Sequence, residues 1–219
     1  MNKKRKIIIL AIFTAMIITL LGVVRYYWYN NTYYASTDDA QVSGDFYKIT
    51  PQASGKLLDF NIKEGDKVIK DQIIGRIDAE GIADSNIDSS VLRSPITGIV
   101  VKVPARVGEY EQSASSPTLA IIVNPDKLYI NANIEENKAQ SLRVGAQADI
   151  KIDEFNKRKF KGKVESIGQA ANSAFSILPS SSSGTFTKVV QKIPVKIDIK
   201  GNTMPLLPGT NAVVKIHLK

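Results

Sequence analysis

Two stretches of this chain, forty-three residues apart, share one pattern. Lys48–Val68 reads KITPQASGKLLDFNIKEGDKV, and Leu92–Glu111 reads LRSPITGIVVKVPARVGEYE. Gly55 and Gly65 stand ten residues apart, as do Gly98 and Gly108, and a proline turn at Pro51 or Pro95 precedes each first glycine. With Gly55 laid on Gly98, Leu58, Phe60 and Ile62 fall on Val101, Val103 and Ala105, so the apolar positions stay in phase. Alternating apolar residues bounded by glycine turns read as strands. One such hairpin alone is marginal in water; two packed face to face bury what neither can bury singly. The repeat predicts a pseudo-symmetric β-sandwich of half-motifs 48–78 and 92–123, joined by the connector 79–91. Pro51, Gly55, Gly65, Gly98, Gly108 and, further on, Gly209 are read as structural turn positions.

The rest of the body is also β. Leu128, Ile130, Ala132 and Ile134 alternate with polar or amphipathic neighbours. So do Val195, Ile197 and Ile199, and Ala212, Val214, Ile216 and Leu218 alternate with Val213, Lys215, His217 and Lys219. Strands of this kind bury one face and wet the other. A single short helix is predicted at Glu135–Arg143, with acids at its start, arginine at its end and Gly145 beyond as a cap. The serine run 180–183 before Gly184 makes 172–186 a flexible loop, one that orders only on assembly.

At the other end, Ile7–Val24 reads IIILAIFTAMIITLLGVV, eighteen residues without a charge. At ~1.5 Å per residue they span ~27 Å, close to a bilayer core. Four basic residues precede the segment and only Arg25 follows it, before Tyr26, Tyr27, Trp28 and Tyr29. The charge bias places residues 1–6 in the cytoplasm, and the aromatic run suits an interfacial belt. A cleaved signal peptide would have a shorter apolar core ending at a small-residue site. The segment therefore reads as a retained single-pass anchor, followed by a juxtamembrane linker over 25–37 and an extracytoplasmic body.

Several classes of chemistry are excluded. The chain holds 29 basic and 21 acidic residues, a net charge of +8. Five of those basic residues flank the apolar segment, which leaves the body near +3. That is an ordinary solvated surface rather than a nucleic-acid face. With no cysteine, the chain can form no disulfide, thiolate nucleophile or acylated lipoprotein anchor. No phosphate-binding GxxxxGK[ST] loop occurs. His217, the only histidine, falls on the wet face of its strand beside Lys215 and reads as a solvated residue. No spaced carboxylate or histidine cluster suggests a metal. Asp38 and Asp39 point to opposite faces of a strand, so they cannot readily share a proton or an ion. Arg93 and Arg106 read as partners for acids in the sandwich. A two-half sandwich is also the shape of biotinyl and lipoyl carriers, but a carrier needs a lysine at the tip, and Asp71–Val101 contains none. Catalytic, cofactor-binding and metal-binding residues are therefore all read as none.

In their order along the chain, these segments resemble the membrane fusion proteins, or periplasmic adaptors, of the hemolysin-D type, in particular the EmrA-like branch. STDDAQVSG (Ser36–Gly44) is similar to that family's opening strand. Ile49–Asp78 and Leu92–Gln112 look like its two half-lipoyl motifs, and Leu128–Asp153 like the start of its β-barrel domain. Asn172–Ile199 and Leu206–Ile216 are similar to its EmrA-type signature and closing strand. The resemblance implies a mainly β fold: a transmembrane helix (7–24), a lipoyl-like barrel-sandwich hybrid domain (38–125), then a small β-barrel with one short helix (126–219). It implies a non-catalytic adaptor in the cytoplasmic membrane that assembles as a homo-oligomer beside an exporter. That exporter would be a major-facilitator multidrug transporter, with an ABC-type peptide or protein exporter as the alternative; a β module on cell-wall polymer is the remaining rival. Asp38 and Asp39 would then belong to the opening strand or an interface. One departure stands out. The thirteen residues 79–91 would span only ~20 Å even as one helix and lack apolar heptads. This argues against the long coiled-coil hairpin with which family members reach an outer-membrane channel.

Overall fold

A computed structural model describes residues 3–78, 88–155, 158–172, 190–199 and 205–218, with side chains from residue 10 onward. The first helix, α1 (Lys3–Tyr33), hands over directly to strand β1 (Tyr34–Ser43). The linker expected over 25–37 is therefore not a linker. Asn30-Asn31-Thr32 is a weak helix-forming sequence, yet the helix continues through it, because tertiary contacts hold its end. Leu218 N–H donates to Tyr33 C=O at 3.0 Å. Lys215 Nζ donates to Asn30 Oδ1 at 2.9 Å; within the helix, the Tyr29 and Tyr33 rings add an i,i+4 contact at 4.7 Å.

The chain forms two compact units, one of them built on Val42–Tyr129. It contains β2 (Phe46–Ile49), β3 (Gly55–Phe60), β4 (Lys67–Val68), β5 (Ile73–Asp78), β6 (Val91–Arg93), β7 (Gly98–Lys102), β8 (Tyr110–Glu111) and β9 (Ala120–Val123). These make two four-stranded sheets, ordered β2-β9-β7-β4 and β6-β5-β3-β8. Exchanging β2 with β6, β9 with β5, β7 with β3 and β4 with β8 turns one order into the other, so the repeat in the sequence is a repeat in space. Each half lends strands to both sheets. The backbone bonds are reciprocal as well. Leu57 N–H donates to Glu109 C=O, and Gly108 N–H donates to Leu57 C=O, both at 2.8 Å. Forty-three residues along, Val100 N–H donates to Asp66 C=O at 2.9 Å, and Gly65 N–H on the other half donates to Val100 C=O at 2.8 Å.

The phase within the repeat differs from the expected one in a single respect. Leu57 and Val100 are the core residues, at 0% and 1% exposure, whereas Leu58 and Val101 face outward at 51% and 38%. The register shifts between Leu57 and Asp59 in one half and between Val100 and Lys102 in the other. A β-bulge inserts one unpaired residue and reverses the inward–outward parity. Ile62 then returns to the core, with Phe60, Val103 and Ala105 packed against it. Ile49, Leu57, Ile74, Leu92, Val100 and Ile122 fill the centre, each worth about 1.5–3 kcal/mol on burial.

The second unit is a six-stranded closed barrel. To β1 it adds β10 (Tyr129–Glu135), β11 (Gln147–Ile152), β12 (Phe160–Ile167), β13 (Lys192–Ile199) and β14 (Asn211–His217), in the order β1-β10-β13-β12-β11-β14. Closure removes the unpaired edges that an open sheet would leave. Ile130, Ala132, Ile150, Val195, Ile197, Val214 and Ile216 point inward, as the alternation in the sequence predicts for β10, β13 and β14. The boundary at residue 38 moves, because β1 pairs with β14 from Tyr34 onward and belongs mainly to the barrel. Residues 205–209 belong instead with the sandwich, where Gly209 N–H donates to Val42 C=O at 2.8 Å. The short helix α2 covers Glu136–Ala139, less than the expected 135–143. After it the chain continues in i→i+3 turns, with Leu142 N–H on Ala139 C=O at 3.0 Å, and these bring Leu142 into the core. The predicted flexible loop 172–186 lies outside the described residues apart from Asn172, and the connector 79–91 is described only from residue 88.

Candidate docking interface

The adjacent acids of the opening strand sit at a third bulge. In the β1–β14 pairing the register shifts between Thr37 and Ala40, so Ala35 and Ala40 both face the core. Asp38 and Asp39 occupy the irregular step, and their surroundings diverge. Asp39 is tied inward by the barrel. Asn133 Nδ2, from β10, donates to its Oδ1 at 3.1 Å, and Lys192 Nζ, at the start of β13, donates to its Oδ2 at 2.7 Å. Thr37 shapes the bulge, accepting from Asp39 N–H at 3.1 Å and donating to Asn133 C=O at 2.9 Å. Asn172 Nδ2 extends the network by donating to Asn133 Oδ1 at 2.8 Å. The bond from Lys192, reinforced by that from Asn133, holds the Asp39 carboxyl below its usual range. The same contact raises the Lys192 ammonium. Asp38 is exposed, and its side chain acts on Lys192 only as a nearby charge. One acid thus fastens the barrel seam across β1, β10 and β13, and its neighbour is presented to solvent.

A second polar cluster lies where α1 meets the barrel. His217 Nε2 and Asp149 Oδ2 are 3.0 Å apart. The His217 ring packs edge-on against Tyr34 at 4.9 Å, and Lys215 Nζ lies 3.9 Å over the same Tyr34 ring. His217 is on the outer face, as its strand phase predicts, but it is half-buried and partnered rather than simply solvated. Sequence order hides these partnerships, since Asp39 and Lys192 are 153 positions apart and His217 and Asp149 are 68.

The turn positions divide into two kinds. Gly55 and Gly98 are buried, and a Cβ on either would collide with the backbone carbonyl of the neighbouring strand, Asp78 O or Val123 O. Gly65, Gly108 and Gly209 have φ near +90°, a region that favours glycine. Pro51 is buried at the end of β2. Of the two arginines, Arg93 reaches Asp88 at 3.4 Å on the surface, and Arg106 is exposed. Among the described residues, no group of three side chains is placed to hold a metal.

YhbJ of Bacillus subtilis (strain 168), which carries the name of an efflux system component, is 39% identical over 217 residues, covering 99% of this chain and 94% of the relative. Residues 45–123 match the family described as RND MFP, barrel-sandwich hybrid domain, and residues 128–216 match the YknX-like beta-barrel domain. The chain belongs to the membrane fusion protein family. Its relatives include proteins named EmrA. The multidrug export protein EmrA of Haemophilus influenzae is 31% identical over 138 residues, covering 61% of this chain and 35% of the relative. This membrane fusion protein thus spans about a third of the length of that EmrA. The structure of the periplasmic adaptor protein EmrA superposes with a TM-score of 0.55 at 15% identity, covering 84% of this chain and 98% of that one. The family is one of non-catalytic adaptors in efflux. Of the described helices, α1 is long and apolar enough to cross a membrane, over Leu10–Tyr33.

Proposed function

We propose that this membrane fusion protein is the membrane-anchored adaptor subunit of an active multidrug exporter, paired with a major-facilitator transporter in the cytoplasmic membrane. The observation that carries the reading is the end-to-end match to a protein named as an efflux system component. The choice of transporter class rests on the EmrA-like relatives, among them the EmrK protein of Escherichia coli, named for multidrug resistance. The N-terminus lies in the cytoplasm and the β units lie outside, as the basic residues before α1 favour. The adaptor works by docking. Tethering by α1 raises the effective concentration of its surfaces at the transporter's outer mouth, so modest contacts suffice. Asp38 is one such surface group, because Asp39 is already occupied within the barrel. Several copies assemble around or beside one transporter. The thirteen-residue connector does not reach an outer-membrane channel.

The test is a photocrosslinking residue at position 38 in cells, followed by identification of the partner. A polytopic major-facilitator protein supports the proposal. An ABC transporter moves the adaptor to the other exporter class, and wall polymer without any transporter overturns the reading. In parallel, deletion of residues 1–30 leaves folded β units that no longer support export; export that survives this deletion counts against tethering.

A further inference from the structure

The barrel carries an open cavity of about 770 Å³ at the rim from which α1 leaves. Its wall includes Gln140, Ser141, Arg143, Gln147 and His217, and no carboxylate is among the lining residues. Asp149, 3.0 Å from the lining His217, is engaged with it. Arg143, Val144 and Gly145 are exposed at the tip of the turn after α2, and Val144 is 66% exposed. The position of this rim relative to α1 is fixed by direct bonds. Leu218, which also lines the cavity, donates to the last residue of α1, Tyr33, and His217 packs on Tyr34. Tyr33 is nine residues past Val24, the end of the uninterrupted apolar run, or ~13 Å along an upright helix. The headgroup layer adds roughly 5–8 Å on each side of the hydrocarbon core, and ordinary helix tilt lowers the rim further. The end of α1 therefore stands ~5–8 Å above the outer edge of the headgroups, a gap that an arginine side chain can cross, and Arg143 and the bare Val144 stand at the cavity's lip.

We propose that this cavity seats the phosphate headgroup of an anionic phospholipid of the outer leaflet, held by Arg143 with Gln140, Ser141 and Gln147 as further polar partners, while Val144 rests on the lipid surface. The inference rests on the reading of α1 as a membrane anchor and goes beyond the adaptor role. Such a seat would fix the rotation of the barrel about the α1 axis before any transporter is met.

The chain has no cysteine and a single tryptophan, Trp28, within α1, so two probes can be read independently in the full-length protein. Trp28 fluorescence with brominated lipids reports insertion of the helix. A fluorophore on Val144→Cys, with nitroxide-headgroup lipid as quencher, reports the rim; Asn211→Cys, at the far end of β14, is the control. In nanodiscs of phosphatidylglycerol, position 144 should be quenched well beyond position 211. The excess should shrink in phosphatidylcholine and with Arg143→Gln, which should lower the docked population about fivefold, and Arg143→Lys should retain most of it. Equal quenching at 144 and 211, or quenching indifferent to lipid charge and to Arg143→Gln, overturns the headgroup seat while Trp28 still reports an inserted helix. An unquenched Trp28 removes the anchor reading, and this proposal with it.

Discussion

Substituting alanine at Gly55 and at Gly98 tests whether the two halves are physically equivalent. A Cβ at Gly55 would overlap Asp78 O and lie 2.7 Å from Asp78 C and 2.8 Å from Ile77 Cγ2. At Gly98 it would overlap Val123 O and lie 3.0 Å from both Val123 C and Ile122 Cγ2. In both places the obstacle is backbone, which cannot swing aside as a side chain can. Relief means parting β3 from β5, or β7 from β9, and weakening one or two ladder bonds worth about 0.5–1.5 kcal/mol each. Overpacking of this kind costs about 1–3 kcal/mol. Gly65→Ala and Gly108→Ala meet no atom closer than 4.0 Å and carry only the left-handed backbone penalty, about 1 kcal/mol. Hydrogen exchange of the full-length protein in nanodiscs reads these costs locally. Gly55→Ala and Gly98→Ala should each speed exchange in 46–123 by roughly 5- to 150-fold, with Gly55→Ala at the upper end because its contacts are tighter. Gly65→Ala and Gly108→Ala should fall near tenfold or below. The β8 peptide should follow Gly55→Ala, since β8 pairs with β3 although it comes from the other half. If Gly98→Ala left exchange untouched while Gly55→Ala unfolded the unit, the pseudo-symmetry would be formal rather than energetic. A larger effect at Gly65 than at Gly55 would refute the steric argument itself.

Two further outcomes follow from the bulges and the barrel seam. Leu57→Ala should cost about 2–5 kcal/mol and Leu58→Ala no more than about 0.5 kcal/mol, measured by urea unfolding in detergent; the reverse order would place the parity switch wrongly. The Asp39–Lys192 contact gives a pH signature. The Asp39 pKa is lowered by folding, so its contribution is present above the ordinary carboxylate value of 3.8 and is lost as pH falls through the lowered value. The Lys192 pKa is raised, so its contribution is present below 10.5 and is lost as pH rises through the raised value. The stability difference between the wild type and Asp39→Asn should therefore be flat between those limits and shrink outside them. A difference that grew on acidification would contradict the clamp.

What could be read from the linear chain was what repeats or alternates. The forty-three-residue spacing located the sandwich, and strict alternation placed the inward faces of β10, β13 and β14. The parity at Leu58 was missed because a bulge leaves no hydrophobic signature: Leu57 and Leu58 are both leucines, and only the pairing with Arg76 and Ile77 shows which one lies inside. Asp38 and Asp39 were singled out together, but their separation into a seam clamp and an exposed acid depends on Asn133 and Lys192, which closure of the barrel brings to them. The missing linker is a similar case. Local propensity ended the helix near residue 24, and contacts from Lys215 and Leu218 carried it to Tyr33.

The same geometry makes the sandwich tolerant of the length of its connector. β5 and β6 are antiparallel neighbours, with Arg76 opposite Val91 and Gly75 opposite Leu92. The chain therefore leaves β5 and re-enters β6 close together, with the paired Arg76 and Val91 about one strand spacing apart, ~4.8 Å. The halves are fastened elsewhere, by the four reciprocal bonds of Leu57 and Val100 and by strands that each half lends to the other's sheet. Closing a longer loop between fixed ends costs only about 0.6 kcal/mol per doubling of its length, small beside a core of six or more buried aliphatic side chains. A longer and a shorter connector are thus nearly interchangeable for folding. Connector length is free to be set by what the adaptor must touch.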